Sequence, residues 1–238
     1  MKGVILAGGL GTRLYPLTFA TNKHLLPVYD RPMVFYPIQT LVKAGVEEIL
    51  IVTGGPHAGD FLQVLKNGQE FGVKHLEFAY QEGEGGIAAA LSQAEDFACG
   101  DCLAVILGDN TTDADISREV KNFQEGALIF LKEVPDPERF GVAVFKRGKL
   151  VGIEEKPKKP KSNLAVTGLY LYDNSIFDKI RKLKPSGRGE LEITDVNNLY
   201  LAEDRLSWAK LRGFWRDAGT FETLFEVNAY WRKTRKDK

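Results

Sequence analysis

The sequence predicts an α/β domain: a mixed, mostly parallel sheet covered by helices on both faces, with a β-rich insertion in its second half. Three observations lead there. Up to residue 134, short apolar runs alternate with helical patterns. After Pro135 the spacing tightens into closely set strands. The least ordinary residues fall in loops that follow the apolar runs. Strand–helix alternation builds a parallel sheet buried on both sides, and such sheets bind ligands beyond the carboxyl ends of their strands.

Val4-Ile-Leu6 reads as the first strand. Met33 to Lys43 reads as a helix, Ile49-Leu-Ile-Val52 as a strand, and Asp60 to Glu70 as a helix. Leu76 to Tyr80 is then a strand, Ile87 to Phe97 a helix, Leu103 to Leu107 a strand, Ile116 to Gln124 a helix and Ala127 to Leu131 a strand. Gly, Asp or polar turns bound each apolar run, as they bound strands. The loops after Leu6, Tyr80 and Leu107 are therefore expected to converge on one site. In the second half, Val142-Ala-Val-Phe145 and Leu150-Val-Gly-Ile153 flank Lys146-Arg-Gly-Lys149 and read as a hairpin. Val166 to Tyr172 follows as a strand and Asn174 to Leu183 as a helix. Pro185 to Gly189 is a loop, Leu191 to Ala202 a helix, and Phe221 to Lys233 a closing helix rich in aromatics. With no internal repeat and no long linker, residues 1–238 are expected to form one domain. Its parts are 1–134, 135–220 and a C-terminal helical region, 221–238. The run Lys156-Pro-Lys-Lys-Pro-Lys161 and the basic stretch from Arg232 suit solvated surface.

Lys plus Arg total 32 and Asp plus Glu total 32, so the net charge is zero. A chain built to grip nucleic acid carries a basic surplus, which is missing here. Phosphate binding must come from a few placed cations. The N-terminal apolar run is too short for a signal peptide, and no run approaches the ~20 residues that span a bilayer. A cytoplasmic location is expected. Cys99 and Cys102 are spaced C-x-x-C, but no second pair completes a zinc site. They also precede a buried strand and do not open a helix, so they read as reduced thiols.

The sharpest local feature is Leu6-Ala-Gly-Gly-Leu-Gly-Thr-Arg-Leu14, directly after the first strand. Glycines there let backbone N–H groups approach phosphate closely. It is not a dinucleotide fingerprint, because Leu14 stands at the third glycine position. It is not a P-loop, because Arg13 stands where that motif needs lysine. A plain tight turn needs one glycine, and this loop has Gly8, Gly9 and Gly11 before Thr12-Arg13, with Lys23 close behind.

Residues Leu6 to Val28 resemble the signature G-G-x-G-T-R-L-x-P-x-T, then K-x-L-L-P-V, of the sugar-phosphate nucleotidylyltransferases. Gly108-Asp-Asn110, Asp136-Pro-Glu-Arg-Phe-Gly141, Glu154-Glu-Lys-Pro157, Ala165 to Tyr170, Arg188 to Asp195 and Asp217-Ala-Gly-Thr220 follow in the family's order. Together they are similar to the glucose-1-phosphate thymidylyltransferases. The resemblance covers nearly the whole chain. It implies a Rossmann-like three-layer fold whose inserted β-rich region binds the sugar.

The reaction so implied is attack by a sugar-phosphate oxygen on the α-phosphorus of a nucleotide, with pyrophosphate leaving. Both reactants are anions, so positioning and charge neutralisation are the main tasks. By resemblance, Arg13 grips the leaving phosphates and Lys23 sits by the α-phosphate. Leu6, Gly8, Gly9, Gly11, Thr12, Gln81, Gly86 and Asn110 line the nucleotide. Gly141, Glu155, Lys156, Val166 and Tyr170 hold the sugar phosphate. Asp109 and Asp217 are implied as ligands of Mg2+, which takes one or two protein carboxylates with phosphate oxygens and water. A glutamine such as Gln81 can pair with the imide edge of thymine or uracil. The implied substrates are dTTP or UTP with glucose 1-phosphate, and the implied assembly is a homodimer or homotetramer. Glu154 is expected to face outward, and His24 replaces a glutamine frequent in longer relatives. The loop Glu82-Gly-Glu84 lacks the family's usual proline. Longer relatives add helices that form an allosteric product site; the short C-terminus leads us to expect none here. Two alternatives stay open: a uridylyltransferase or other hexose-1-phosphate enzyme, and a catalytically silent nucleotide-sugar-binding subunit. The second should have lost some of Arg13, Lys23, Asp109, Lys156 and Asp217, and all five are present.

Overall fold

The computed structural model describes residues 1–236; Asp237 and Lys238, at the end of the expected C-terminal region, lie outside the described residues. The chain runs β1 (Lys2–Ala7), a small hairpin of β2 (Pro27–Val28) and β3 (Arg31–Pro32), α1 (Phe35–Lys43), β4 (Glu48–Gly54), α2 (Ala58–Leu65) and β5 (His75–Gln81). It continues with α3 (Ile87–Ser92), α4 (Glu95–Ala98), β6 (Leu103–Leu107), β7 (Asn110–Thr112), α5 (Ser117–Asn122) and β8 (Ala127–Glu133). The second half holds β9 (Gly141–Lys146), β10 (Lys149–Glu155), β11 (Leu164–Tyr172), α6 (Ile176–Ile180), α7 (Ile193–Ala202), β12 (Leu206–Lys210), β13 (Trp215–Asp217) and α8 (Phe221–Lys236).

Among the described residues one nine-stranded sheet runs β10-β9-β11-β6-β1-β4-β5, with β8 also on β11 and β12 on β8. The strands β6, β1, β4 and β5 are mutually parallel. Their alternating side chains fill two cores. Val4, Leu6, Leu50, Val52, Leu103 and Val105 face α3, α4, α6 and α7. Ile5, Ala7, Ile49, Ile51, Ala104 and Ile106 face α1 and α2. A strand buried on both sides must be apolar at every position, which is why these runs were legible. A third, small core joins α8, through Val227 and Trp231, to Leu14, Leu26, Val28, Met33 and Tyr36. It fastens the C-terminal helix beneath the glycine-rich segment.

The sheet departs from the expected order in one respect. The run 127–131 does not extend the parallel series; it lies outside β11, antiparallel to it. β11 separates it from β6, pairing Tyr170 with Val105 on one side and Ile129 on the other. The hairpin β9–β10 forms as expected and caps the edge. Several expected helices are shorter, among them 174–183, helical only over Ile176–Ile180, and two of them show a cause. The stretch 87–97 breaks into α3 and α4 where the Ser92 hydroxyl donates to the Ala89 carbonyl (2.8 Å), competing with the helical ladder. The stretch 60–70 stops at Leu65, because Lys66 and Gly68 take left-handed backbone (φ 49° and 76°). The strands β7, β12 and β13 were not anticipated. Both cysteines are free thiols. Among the described residues no helix is long and apolar enough to cross a membrane.

Candidate active site

The carboxyl ends of β1, β5 and β6 meet, as their loops required. After Ala7 the chain turns through Gly9 and Gly11 in left-handed backbone (φ 91° and 65°), a conformation that suits glycine. A Cβ on Gly8 would lie 2.8 Å from Gln81 Oε1, and one on Gly11 would lie 3.0 Å from Lys23 Cβ. The glycines thus let the loop press onto the two residues expected at the base and the α-phosphate. Thr12 to Leu14 forms a single 3₁₀ turn. Its Leu14 is buried in the third core, while Thr12 and Arg13 stay exposed.

Asp109 leaves β6 beside this loop. Lys23 Nζ donates to its Oδ2 at 2.5 Å, and Asn110 Nδ2 donates to its Oδ1 at 3.0 Å. Burial works against the Asp109 charge. The Lys23 ammonium, His24 and both hydrogen bonds outweigh that and hold the carboxyl well below the usual carboxylate range. Asp217 arrives from the far end of the chain through the β7–β13 pair, opposite Asn110, and Ala218 N donates to Asp109 O at 2.8 Å. Burial, and then the neighbouring Asp109 charge, push the Asp217 carboxyl up; Arg139 and Arg216 oppose them. Its Oδ1 is buried without a partner among the described residues.

The gap between the carboxylates is kept open by Gly219. The point its Cβ would occupy lies 3.1 Å from Asp217 Oδ2, 3.2 Å from Arg13 Nη2 and 3.6 Å from Asp109 Oδ2. Two convergent carboxylates, one with an orphaned oxygen, fit a divalent cation that completes its shell with phosphate oxygens and water. Among the described residues there is no group of three or more His, Cys, Asp or Glu for a fully protein-held metal.

Gln81 is buried at the end of β5. The next loop is tied across to the second half, since Leu191 N donates to Gly85 O (2.8 Å) and Ala88 N to Leu191 O (3.2 Å). Gly86 has φ 88°, and a Cβ there would lie 2.8 Å from Leu191 O. Glu84 accepts from Leu10 N at 3.2 Å, bridging this loop to the glycine-rich one.

In the second half, Glu155 ends β10. It accepts from Thr194 Oγ1 at 2.5 Å and Arg188 Nη2 at 3.4 Å, and lies 3.6 Å from Lys156 Nζ. Consecutive strand residues normally face opposite ways. Lys156 has φ 41°, which ends the strand and keeps its ammonium with Glu155. Gly141 adjoins this group: its Cβ would lie 3.0 Å from Thr194 Oγ1 and 3.5 Å from Glu155 Oε2. Val166 and Tyr170 are buried on β11. Burial, then the charges of Glu155 and Asp109, push the Tyr170 hydroxyl up. Glu154 pairs with Lys161 at the surface.

Arg13, Lys23, Asp109 and Asp217 therefore gather around one gap, and Lys156 stands with Glu155 farther along. The side chain of Asn110 is spent inward: its Oδ1 takes hydrogen bonds from Trp215 Nε1 (2.7 Å) and Gly168 N (3.1 Å). Its visible work is to orient Asp109. Arg139, Arg188 and Thr194 were not singled out from sequence. Each lies within a motif already noted, and only the fold shows that it touches a site carboxylate.

Residues 2–234 match the profile of the nucleotidyl transferase family. The chain belongs to that family. It is 44% identical over 237 residues to a glucose-1-phosphate thymidylyltransferase of Neisseria meningitidis, covering 97% of this chain and 82% of the relative. A glucose-1-phosphate thymidylyltransferase of Xanthomonas campestris is 46% identical over 233 residues, which is 95% of this chain and 79% of that one. A Bacillus anthracis structure described under the same enzyme name, in complex with a sucrose, superposes with TM-score 0.92 at 51% identity, covering 98% and 95% of the two chains. A UDP-glucose pyrophosphorylase complexed with UDP-glucose superposes with TM-score 0.85 at 26% identity, covering 98% of each chain. The Rossmann-like architecture of the nucleotidyl transferases is thus the architecture of this chain.

Proposed function

We propose that the chain transfers the thymidylyl group of dTTP to glucose 1-phosphate, forming dTDP-glucose and pyrophosphate by in-line displacement. The observation that carries this reading is the meeting of Arg13, Lys23, Asp109 and Asp217 around one gap beside the glycine-rich loop. In the proposed division of labour, residues 1–134 hold the nucleotide and residues 135–220 the sugar phosphate.

The backbone N–H groups of Gly8, Gly9, Gly11 and Thr12 cradle the triphosphate, as glycine-rich loops do, while that of Leu10 is held by Glu84. The planar Arg13 guanidinium holds the departing β- and γ-phosphates through paired hydrogen bonds. Lys23 neutralises the α-phosphate and the incoming phosphate while remaining near Asp109. Lys156 holds the sugar phosphate, and Glu155 accepts hydrogen bonds from glucose hydroxyls. Gly141, Val166 and Tyr170 shape the sugar pocket. Asp109 and Asp217 hold Mg2+, which when bound neutralises phosphate charge and orients the α-phosphate. The incoming phosphate oxygen bonds to the α-phosphorus as the bond to pyrophosphate breaks. No enzyme-bound intermediate is required.

Gln81 meets the imide edge of the base. Thymine and uracil share that edge, so the likeness to a UDP-glucose pyrophosphorylase keeps UTP as a second nucleotide. Pyrophosphate release should be measured with dTTP, UTP, dCTP and dATP against glucose 1-phosphate and other hexose 1-phosphates. The reading expects turnover with the pyrimidines bearing the imide, and with glucose 1-phosphate above the other sugars. Nucleotide binding with no pyrophosphate release from any pair would sink it. We also propose a homo-oligomer, because Phe221 and Phe225 of α8 remain exposed while Val227 and Trp231 face the core. Light scattering on the purified chain gives the copy number, and a monomer at micromolar concentration would refute this.

A further inference from the structure

We propose that Arg139 is the positioning residue of Asp217, holding the carboxylate oxygen that borders the gap so that the group keeps a fixed direction toward the divalent cation. This rests on the two-carboxylate metal reading above. Arg139 lies in the 3₁₀ turn Pro137–Arg139, after β8. Its Nη2 donates to Asp217 Oδ2 at 2.8 Å and its Nη1 to Asp136 Oδ2 at 2.7 Å. Asp136 is in turn gripped by both nitrogens of Arg216, at 2.7 and 3.1 Å, and Arg216 Nε reaches Glu226 on α8 at 2.8 Å. A string of alternating charges, Glu226–Arg216–Asp136–Arg139–Asp217, therefore runs from the last helix into the site.

The string ends asymmetrically. An arginine that served only to neutralise Asp217 would take both oxygens, because the bidentate grip is the stronger one. Arg139 instead divides its fork between two carboxylates. The oxygen it holds, Asp217 Oδ2, is the one at the Gly219 gap, 3.1 Å from where a Cβ would stand, while Oδ1 is left buried with no partner among the described residues. A carboxylate gripped at one oxygen by a rigid fork cannot rotate freely, so the oxygen that faces the gap has a fixed direction. Outer hydrogen-bond partners of this kind orient metal ligands, and their loss typically costs ~10–100-fold in metal affinity.

Mn2+ binding to the full-length protein, read as loss of the free-ion EPR signal, tests this. It is measured with α,β-methylene-dTTP present, and binding by the analogue alone is subtracted. Arg139→Gln should weaken Mn2+ about tenfold or more, while analogue affinity in EDTA stays within about twofold of wild type. A purely structural role would lower both together, and that result would overturn the proposal. Arg139→Lys keeps the charge but cannot span Asp136 and Asp217, so it should be weak as well. Wild-type affinity in either variant overturns the proposal. If Arg139→Gln fails to fold, Asp136→Asn, one link back, should show a several-fold loss in the same direction, and no loss there is equally fatal. Equal Mn2+ binding by wild type and Asp217→Asn would instead sink the metal reading and the positioning role together, a signature distinct from failure at Arg139 alone.

Discussion

The ammonium of Lys23 lies 2.5 Å from Oδ2 of Asp109, and the two side chains are only 13% and 12% exposed. Removing one member of a buried pair leaves an uncompensated charge, at a cost of ~3–5 kcal/mol. Lys23→Met should therefore lose about that much stability in EDTA, and Mg2+ should restore part of it by replacing the missing cation. Urea unfolding with and without Mg2+ checks this; a loss indifferent to the metal would contradict it. Asp109→Asn keeps an acceptor for Lys23 but removes a proposed metal ligand. Turnover should fall at least about 10²-fold, and the melting temperature should fall as well, because the Lys23 ammonium loses its counter-charge.

Stability should also depend on pH through His24. It is fully buried beside Lys23, and burial first, then the Lys23 charge, push its pKa down to about 3. Its Nδ1 lies 2.7 Å from Asn22 Oδ1. The folded chain thus keeps His24 neutral, whereas the unfolded chain protonates it below about pH 6.5. Because the unfolded state binds more protons, this contribution is complete above pH 6.5 and declines as pH falls toward 3. Between pH 6.5 and 5 the loss is about 2 kcal/mol. Unfolding measured across that interval should show the slope in wild type and not in His24→Gln.

Lys156 is held toward Glu155 by a left-handed backbone at the strand end. Lys156→Gln removes the proposed charge-assisted hydrogen bond to the sugar phosphate, worth ~1.5–3 kcal/mol. KM for glucose 1-phosphate should rise about 10–100-fold while KM for dTTP stays within about twofold. Equal changes in both would place Lys156 on the nucleotide.

Gly86 combines φ 88° with a backbone carbonyl 2.8 Å from where a Cβ would stand. Gly86→Ala must move the loop off Leu191, costing about 1–3 kcal/mol. KM for dTTP should rise, since the same loop borders Gln81. Gly126→Ala is the control: its φ is 78° and its Cβ would lie 2.4 Å from Arg205 O, on the Asp173 side of the molecule. It should destabilise the chain without altering either KM.

The sequence made the parallel half readable because β1, β4 and β6 are buried on both faces and so appear as unbroken apolar runs. The glycine-rich loop was readable for a similar reason: backbone contact with Gln81 and Lys23 leaves no choice of residue. The strands β12 and β13 were not readable. Ser207, Trp208 and Lys210 sit on a half-exposed edge, and Trp215 to Asp217 is a three-residue strand that makes sense only beside β7. The place of β8 was hidden as well, since an apolar run of that length does not say which neighbour it will find. Arg139 looks from sequence like any loop arginine. Its meaning depends on a carboxylate 78 positions away.

The β7–β13 ribbon sets Asp217 opposite Asn110. A polypeptide displaying the glycine-rich loop, Lys23 and Asp109 still has only half of the proposed metal site, however well its parallel strands have folded. Completing that site requires the last segment to pair with β7. A truncation before Trp215 is accordingly inert by construction, and a nick between the ribbon's two strands abolishes turnover only when the fragments separate.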